Sequence, residues 1–277
     1  MKPKYIILIV IGVIVVVAVS LLIGLNLKGS SSFGGSIGVI EVNNVITSAK
    51  TIVKDIKMFS DDASIHAILL RVDSPGGGVA ASQEIYEQLK KAGETKKVVV
   101  SMGAVAASGG YYISLPAHTI VANPGTITGS IGVIMEFPVV NELLKKIGVS
   151  FEVIKSREFK DIGSPYRKMS DEEKKLLQDV VIDVYDQFVS VTCENRNLPR
   201  DSVLKFADGR ILTGRQAKEA GLVDTLGAFE DAVKIAGDLI GIEKPLLVYP
   251  PRRLSFFEIL TEPMEELLRP KLEYLWR

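Results

Sequence analysis

The chain has 277 residues, 47% of them hydrophobic, enough to bury a sizeable core as one domain or two. Its 33 basic residues are balanced by 33 acidic ones, and no basic stripe is interleaved with aromatics, so nucleic acid is not expected as a partner. A single cysteine, Cys193, excludes an internal disulfide framework and a cysteine-based zinc site.

From Ile6 to Leu25 there is no charged residue, and about 20 residues at ~1.5 Å each reach across the roughly 30 Å of a bilayer's hydrocarbon core. The run passes straight into Asn26-Leu27-Lys28 without a small-residue cleavage site, so residues 1–28 read as a retained anchor, not a cleaved secretion signal. Lys2, Lys4 and the amino terminus precede the span and only Lys28 follows it closely, which puts the N-terminus in the cytoplasm and the bulk of the chain outside. Residues 29–36, Gly-Ser-Ser-Ser-Phe-Gly-Gly-Ser, read as a flexible tether.

Beyond the tether, strands alternate with helices. Ile37 to Val42, Ile65 to Val72 and Lys97 to Met102 are expected strands; Ser48 to Phe59 and Ala80 to Lys91 are expected helices, and a third follows Ser108. Such alternation predicts an α/β fold with a parallel sheet buried on both faces and a site at the strand ends. Short strands are expected at Thr119 to Ala122, Gly132 to Phe137 and Ser150 to Lys155, with a helix at Val139 to Ile147 between the last two. Ser170 and Glu173 have capping-box spacing and open a long helix that runs to about Cys193. A short helix near Val203 to Ala207, a capped turn of helix within Leu212 to Gly221 closed by its glycine, a helix from Phe229 to Ile240 and a strand at Leu246 to Tyr249 complete the body. The tail from Leu254 is amphipathic and is most simply docked on a neighbour or on the body, because its glutamates disfavour an anionic membrane surface.

Two stretches can carry chemistry. Ser108 sits in Ala106-Ala107-Ser108-Gly109-Gly110-Tyr111-Tyr112, where a buried strand becomes a helix through residues with little side chain; it is a candidate nucleophile, although a small-residue corner packed under a strand reads the same way. Asp73-Ser74-Pro75-Gly76-Gly77-Gly78 ends the preceding strand and leaves backbone N–H groups uncovered, one half of an oxyanion hole whose other half is the N–H of Gly109. Phosphate binding by this loop lacks the Gly-Lys-Ser/Thr that would support it.

A serine nucleophile needs a base. The two histidines, His66 and His118, lie in strand-like segments that suit structural roles better than a Ser-His-Asp arrangement. A lysine serves only when neutral, with its pKa lowered by desolvation from about 10.4 towards 7 or 8. Lys160 is read as leaving a strand between Phe159 and Ile162, but physical reasoning alone does not separate it from other lysines, and Asp161 beside it opposes the shift if it faces the same way.

Five ordered motifs add what single residues do not: Asp-Ser-Pro-Gly-Gly-Gly at 73–78, Ala-Ala-Ser-Gly-Gly-Tyr-Tyr at 106–112, Thr128-Gly129-Ser130-Ile131-Gly132-Val133, Phe159-Lys160-Asp161-Ile162 with Ser164-Pro165, and Thr213-Gly214-Arg215-Gln216-Ala217. With them, residues 37–245 resemble the signal peptide peptidase SppA family in its short, membrane-anchored form. The resemblance implies a crotonase/Clp-protease-like fold of repeated ββα-type units and a serine endopeptidase with a Ser/Lys dyad. Ser108 is then the nucleophile, Lys160 the general base, Ser130 the residue that orients the lysine, and Gly76 and Gly109 the oxyanion donors; no metal or cofactor is implied. The family's longer members are tandem duplications, so a half-length chain is expected to work as a homo-oligomer.

The expected substrates are apolar peptides in or near the bilayer, chiefly remnant signal peptides. A membrane protease that clips one partner, such as a stomatin-like protein, is the alternative; an acyl-CoA enzyme and a non-catalytic scaffold are more distant ones. The expected organisation is an anchor at 1–28, a tether at 29–36, a peptidase domain at 37–245 and a C-terminal amphipathic extension at 246–277.

Overall fold

A computed structural model describes residues 36–251. The anchor, all of the tether except Ser36, and the amphipathic tail lie outside the described residues. No described helix is long and apolar enough to cross a membrane.

The alternating pattern folds as a mixed α/β layer structure. The strands are β1 (Ser36–Asn43), β2 (Ile65–Ser74), β3 (Lys97–Ala107), β4 (Thr119–Ala122), β5 (Ile127–Gly129), β6 (Ile211–Thr213), β7 (Thr225–Leu226) and β8 (Leu246–Val248). Among the described residues they form one sheet in the order β6-β5-β3-β2-β1-β8, with β4 paired to β3 and β7 to β4. Every pairing is parallel except β5 with β6.

Side chains that alternate along each strand feed two cores. Ile37, Val39, Ala67, Leu69, Val99 and Val121 pack on one face against helix α8 (Phe229–Ile240), through Ala232 and Ala236. Ile40, Val42, Ile68, Leu70, Val72, Val98, Val100 and Met102 form the other face. Helices α1 (Lys50–Asp61), α2 (Val79–Gly93) and α3 (Gly109–Ser114) cover it, contributing Ile56, Phe59, Ile85, Leu89, Tyr111 and Ile113. Burial on both faces explains why these strands are almost continuously apolar.

The expected strand at Lys97 to Met102 runs on to Ala107, because its distal end changes neighbours, from β4 at Met102 to β5 at Val105. The expected strands at 132–137 and 150–155 do not form, and only α4 (Asn141–Lys146) is regular between them. Ile134, Val153 and Ile154 are exposed there. Their β propensity finds no partner strand, and propensity without pairing does not make a strand.

Helix α5 (Asp171–Arg196) opens on the expected capping box: Ser170 accepts from the Glu173 backbone, and the Glu173 carboxylate accepts from the Ser170 N–H. Such a cap contributes on the order of 1 kcal/mol. The apolar stripe of α5 divides in two: Phe188 and Val189 are buried, whereas Leu176 and Val180, two turns and more nearer its start, are 41% and 49% exposed. The short helices α6 (Arg200–Leu204) and α7 (Gly214–Glu219) follow, α7 again with a capping box, between Thr213 and Gln216.

Candidate active site

Strands β2, β3 and β5 end side by side, and their ends build the site. The register pairs Ser74 with Ala106 and Ala107 with Gly129, so the glycine loop after β2, the Ser108 corner after β3 and Ser130 after β5 become neighbours. Ser108 is tied to β5 directly, its N–H donating to the Gly129 carbonyl at 2.9 Å.

Ser108 adopts φ 51°, ψ −118°, a conformation costly for a residue with a Cβ. Ser130 adopts φ 49°. The other non-glycine residues with positive φ among those described are Asn44 and Asn197, of a type that tolerates it. The two strained serines thus share one place. Both line a cavity of about 630 Å³, with Gly77 and Gly109 on one side, Val79, Gln83 and Tyr112 on the α2–α3 side, and Val181, Tyr185 and Phe188 of α5 opposite.

Glycine is required where the loop meets the corner. A Cβ on Gly76 would lie 2.6 Å from the Gly109 nitrogen, and one on Gly109 would lie 2.6 Å from Ser82 Oγ and 3.1 Å from the Gly77 nitrogen. Without those side chains two backbones close on each other beside Ser108. The N–H of Gly76 donates to Ser74 Oγ at 3.1 Å. Gly77, which sequence reasoning passed over because the glycines of the loop look alike, is the one that lines the cavity with Ser108.

Lys160 is not among the groups that line this cavity in the single chain. It is exposed on a 3₁₀ turn, Glu158–Asp161. Asp161 beside it is engaged elsewhere: its carboxylate accepts from Lys155 Nζ at 2.6 Å and from Arg167 at 2.8 and 2.9 Å. Arg167 also grips Glu173, with one contact at 2.7 Å, and so fastens the lysine-bearing turn to the start of α5, whose later turns wall the cavity.

This latch has a pH signature. Glu173 is almost fully buried, and hydrogen bonds first from Arg167 and then from the Ser170 backbone bring its carboxyl down to about 2. Asp161 is also held well below the usual carboxylate range, by Arg167 first and Lys155 second. A carboxyl that is more acidic in the folded chain contributes stability that is complete above its unfolded value, near about 4.3 for glutamate, and is lost as pH falls through the folded one. Thermal melts between about pH 5 and 3 are therefore expected to fall less steeply for Glu173→Gln than for the wild type; parallel curves would refute the latch.

The histidines stand outside the site. His66 is exposed, with Nδ1 near the Ser64 carbonyl at 2.9 Å, and His118 Nδ1 accepts from the Val98 N–H at 3.1 Å. Burial, and then Lys97 nearby, lower the His118 pKa. Neither lines the Ser108 cavity, so a Ser-His-Asp arrangement has no histidine among the described residues.

A hydroxyl held at a strained corner over a cavity of mixed, mainly apolar lining is suited to acyl transfer, and comparison with known proteins places the chain among the serine peptidases. The model of peptidase family S49 matches residues 90–243, and that of Clp protease matches residues 37–120. A protein of Synechocystis sp. that carries the name of a protease is 50% identical over 206 residues, which is 74% of this chain and 74% of that protein. A protein of Enterococcus faecium that carries the name signal peptide peptidase SppA is 42% identical over 179 residues, 64% of this chain and 52% of that one. A mutant of the membrane-bound stomatin-specific protease 1510-N aligns with a TM-score of 0.54 at 16% identity, covering 80% of this chain and 100% of that one, a likeness of fold alone. The chain belongs to peptidase family S49, the family of the signal peptide peptidase SppA.

Proposed function

We propose that the chain is a membrane-anchored endopeptidase that cuts apolar peptides, remnant signal peptides above all, with a Ser108/Lys160 dyad. The observation that carries this reading is the strained Ser108, opening onto a cavity walled by Val79, Tyr112, Val181, Tyr185 and Phe188. Ser108 Oγ attacks the peptide carbonyl while Lys160 Nζ, unprotonated, takes its proton. The oxyanion is held by backbone N–H groups of Gly109 and of the glycine loop. Within that loop Gly77 is the better donor than Gly76, whose N–H is committed to Ser74. The tetrahedral intermediate expels the amine, which takes the proton from Lys160, and water then releases the acyl group by the same route. Ser130 orients the lysine from its place on the cavity lining.

Lys160 reaches Ser108 from a second copy of the chain. The reading is supported by the absence of Lys160 from its own chain's cavity lining and by exposed apolar residues in the chain on either side of its turn: Leu143, Ile147 and Ile154 before it, Leu176 and Val180 after it. The fold is of the crotonase type, residues 37–245 are the peptidase domain, and 246–277 are an extension. Residues 6–25 anchor it in the cell membrane, the N-terminus in the cytoplasm and the catalytic domain outside.

The test is the full-length protein in detergent with a mixed peptide library. Cuts beside large apolar residues are expected, and Val181→Asp is expected to lower kcat/KM for those peptides by at least about 10-fold. Absence of cutting, or cutting confined to one folded protein, would overturn the substrate assignment.

A further inference from the structure

Strand β3 reaches Ser108 only after a break in its pairing. On β2, Val72 and Ser74 are separated by one residue; their partners on β3, Met102 and Ala106, are separated by three, so Gly103, Ala104 and Val105 bulge out opposite Asp73. At this bulge β3 exchanges β4, paired up to Met102 and Ala122, for β5, paired from Val105 and Ile127. Because strand side chains alternate, a slip of one residue here would turn Ser108 to the other side of the sheet.

Polar side chains hold the bulge. Asp73 Oδ1 accepts the Val105 N–H at 3.0 Å. The buried Thr126 hydroxyl donates to the Gly103 carbonyl at 2.7 Å and accepts the Asn123 N–H at 3.1 Å. Arg71 and Asn123 both donate to the Met102 carbonyl, at 3.2 and 3.3 Å, and buried Thr128 donates to the Ala106 carbonyl at 2.6 Å. A Cβ at Gly103 would lie 2.8 Å from Asp73 Cγ, so glycine lets the carboxylate sit against the bulge. The bond to the Gly103 carbonyl satisfies a backbone group that the bulge removes from the sheet ladder, and the others brace the bulge at its two ends.

We infer that Asp73 and Thr126 are positioning residues for the peptidase reaction: as a clamp on the 103–105 bulge they set the register that brings Ser108 beside Gly129 and Ser130. The inference rests on the reading of Ser108 as the nucleophile. Neither residue lines the cavity, so their action on the reaction runs through β3.

The test measures kcat and KM on an apolar peptide for the full-length enzyme and for Asp73→Ala, Asp73→Asn, Thr126→Val and Thr126→Ser, with melting temperatures alongside. The alanine and valine variants are expected to lose about 100-fold in kcat, with KM within about threefold of wild type, because misplacement by about 1 Å has that effect on a reacting group. Asparagine still offers Oδ1 to Val105, and serine keeps the hydroxyl, so these two are expected to recover most of the rate.

Wild-type turnover by folded Asp73→Ala or Thr126→Val would overturn the clamp. So would rate losses that conservative replacement does not rescue, and so would failure of both truncated variants to fold, since the bonds would then serve stability alone. Labelling of wild-type Ser108 by a fluorophosphonate, with Ser108→Ala as the control, separates this result from failure of the nucleophile assignment: an unlabelled Ser108 condemns that assignment, whereas a labelled one with full Asp73→Ala activity condemns only the clamp.

Discussion

Ser108→Ala is expected to lower peptide hydrolysis by about 10⁶-fold, the size of loss seen when a triad hydrolase loses its nucleophile. Its melting temperature should stay close to that of the wild type. Alanine retains a Cβ and therefore the cost of φ 51°, ψ −118°, so removal of the hydroxyl changes the chemistry and leaves the backbone problem in place. Ser108→Gly separates the two. It is equally inactive, but it releases strain of roughly 1–3 kcal/mol, offset by about 0.4–1 kcal/mol from the freer unfolded chain. Glycine should therefore melt a few degrees above alanine, at about 2–4 °C per kcal/mol for a chain of this size class. Activity retained in either variant would dismiss Ser108 as nucleophile. Equal melting points would instead dismiss stored strain, leaving the nucleophile untouched.

Much of the fold, the Ser108 corner included, was legible in the residues themselves. Local patterns transferred well: the Ser170/Glu173 box, the helix from Phe229 to Ile240, and the buried strands whose side chains alternate between two cores were all legible, since each depends on residues close in sequence. The Ser108 corner was legible for the same reason, a strand running into small residues. The bulge at 103–105 was not, because it arises from an exchange of partners with β4 and β5, and β5 is only three residues long. The difference between Gly76 and Gly77 was not legible either: the Gly76 N–H is taken by Ser74 Oγ and only Gly77 of the two lines the cavity, which depends on the folded shape of the loop. The segment from 132 to 155 misled in the opposite direction: Ile134, Val153 and Ile154 look like strand residues but are exposed and have no partner strand among the described residues.

Lys160→Ala is expected to slow hydrolysis by about 10²- to 10⁴-fold or more, the contribution of a positioned general base. Alone, the loss does not tell whether the lysine serves its own chain's serine or a neighbour's. Coexpression of Ser108→Ala with Lys160→Ala does. A site that draws its serine from one copy and its lysine from the next is intact when a Lys160→Ala copy supplies the serine and a Ser108→Ala copy the lysine, which random mixing in a closed ring allows at about a quarter of sites. Recovery towards that fraction is the expected result, because Lys160 stands outside the cavity that Ser108 of the same chain lines, on a turn fastened by Asp161, Arg167 and Glu173 to α5. A mixed assembly as inactive as its parents would put both groups of the dyad in one chain. The exposed surface near the turn would then need a different occupant, and the turn would have to swing towards Ser108 against the pull of the latch.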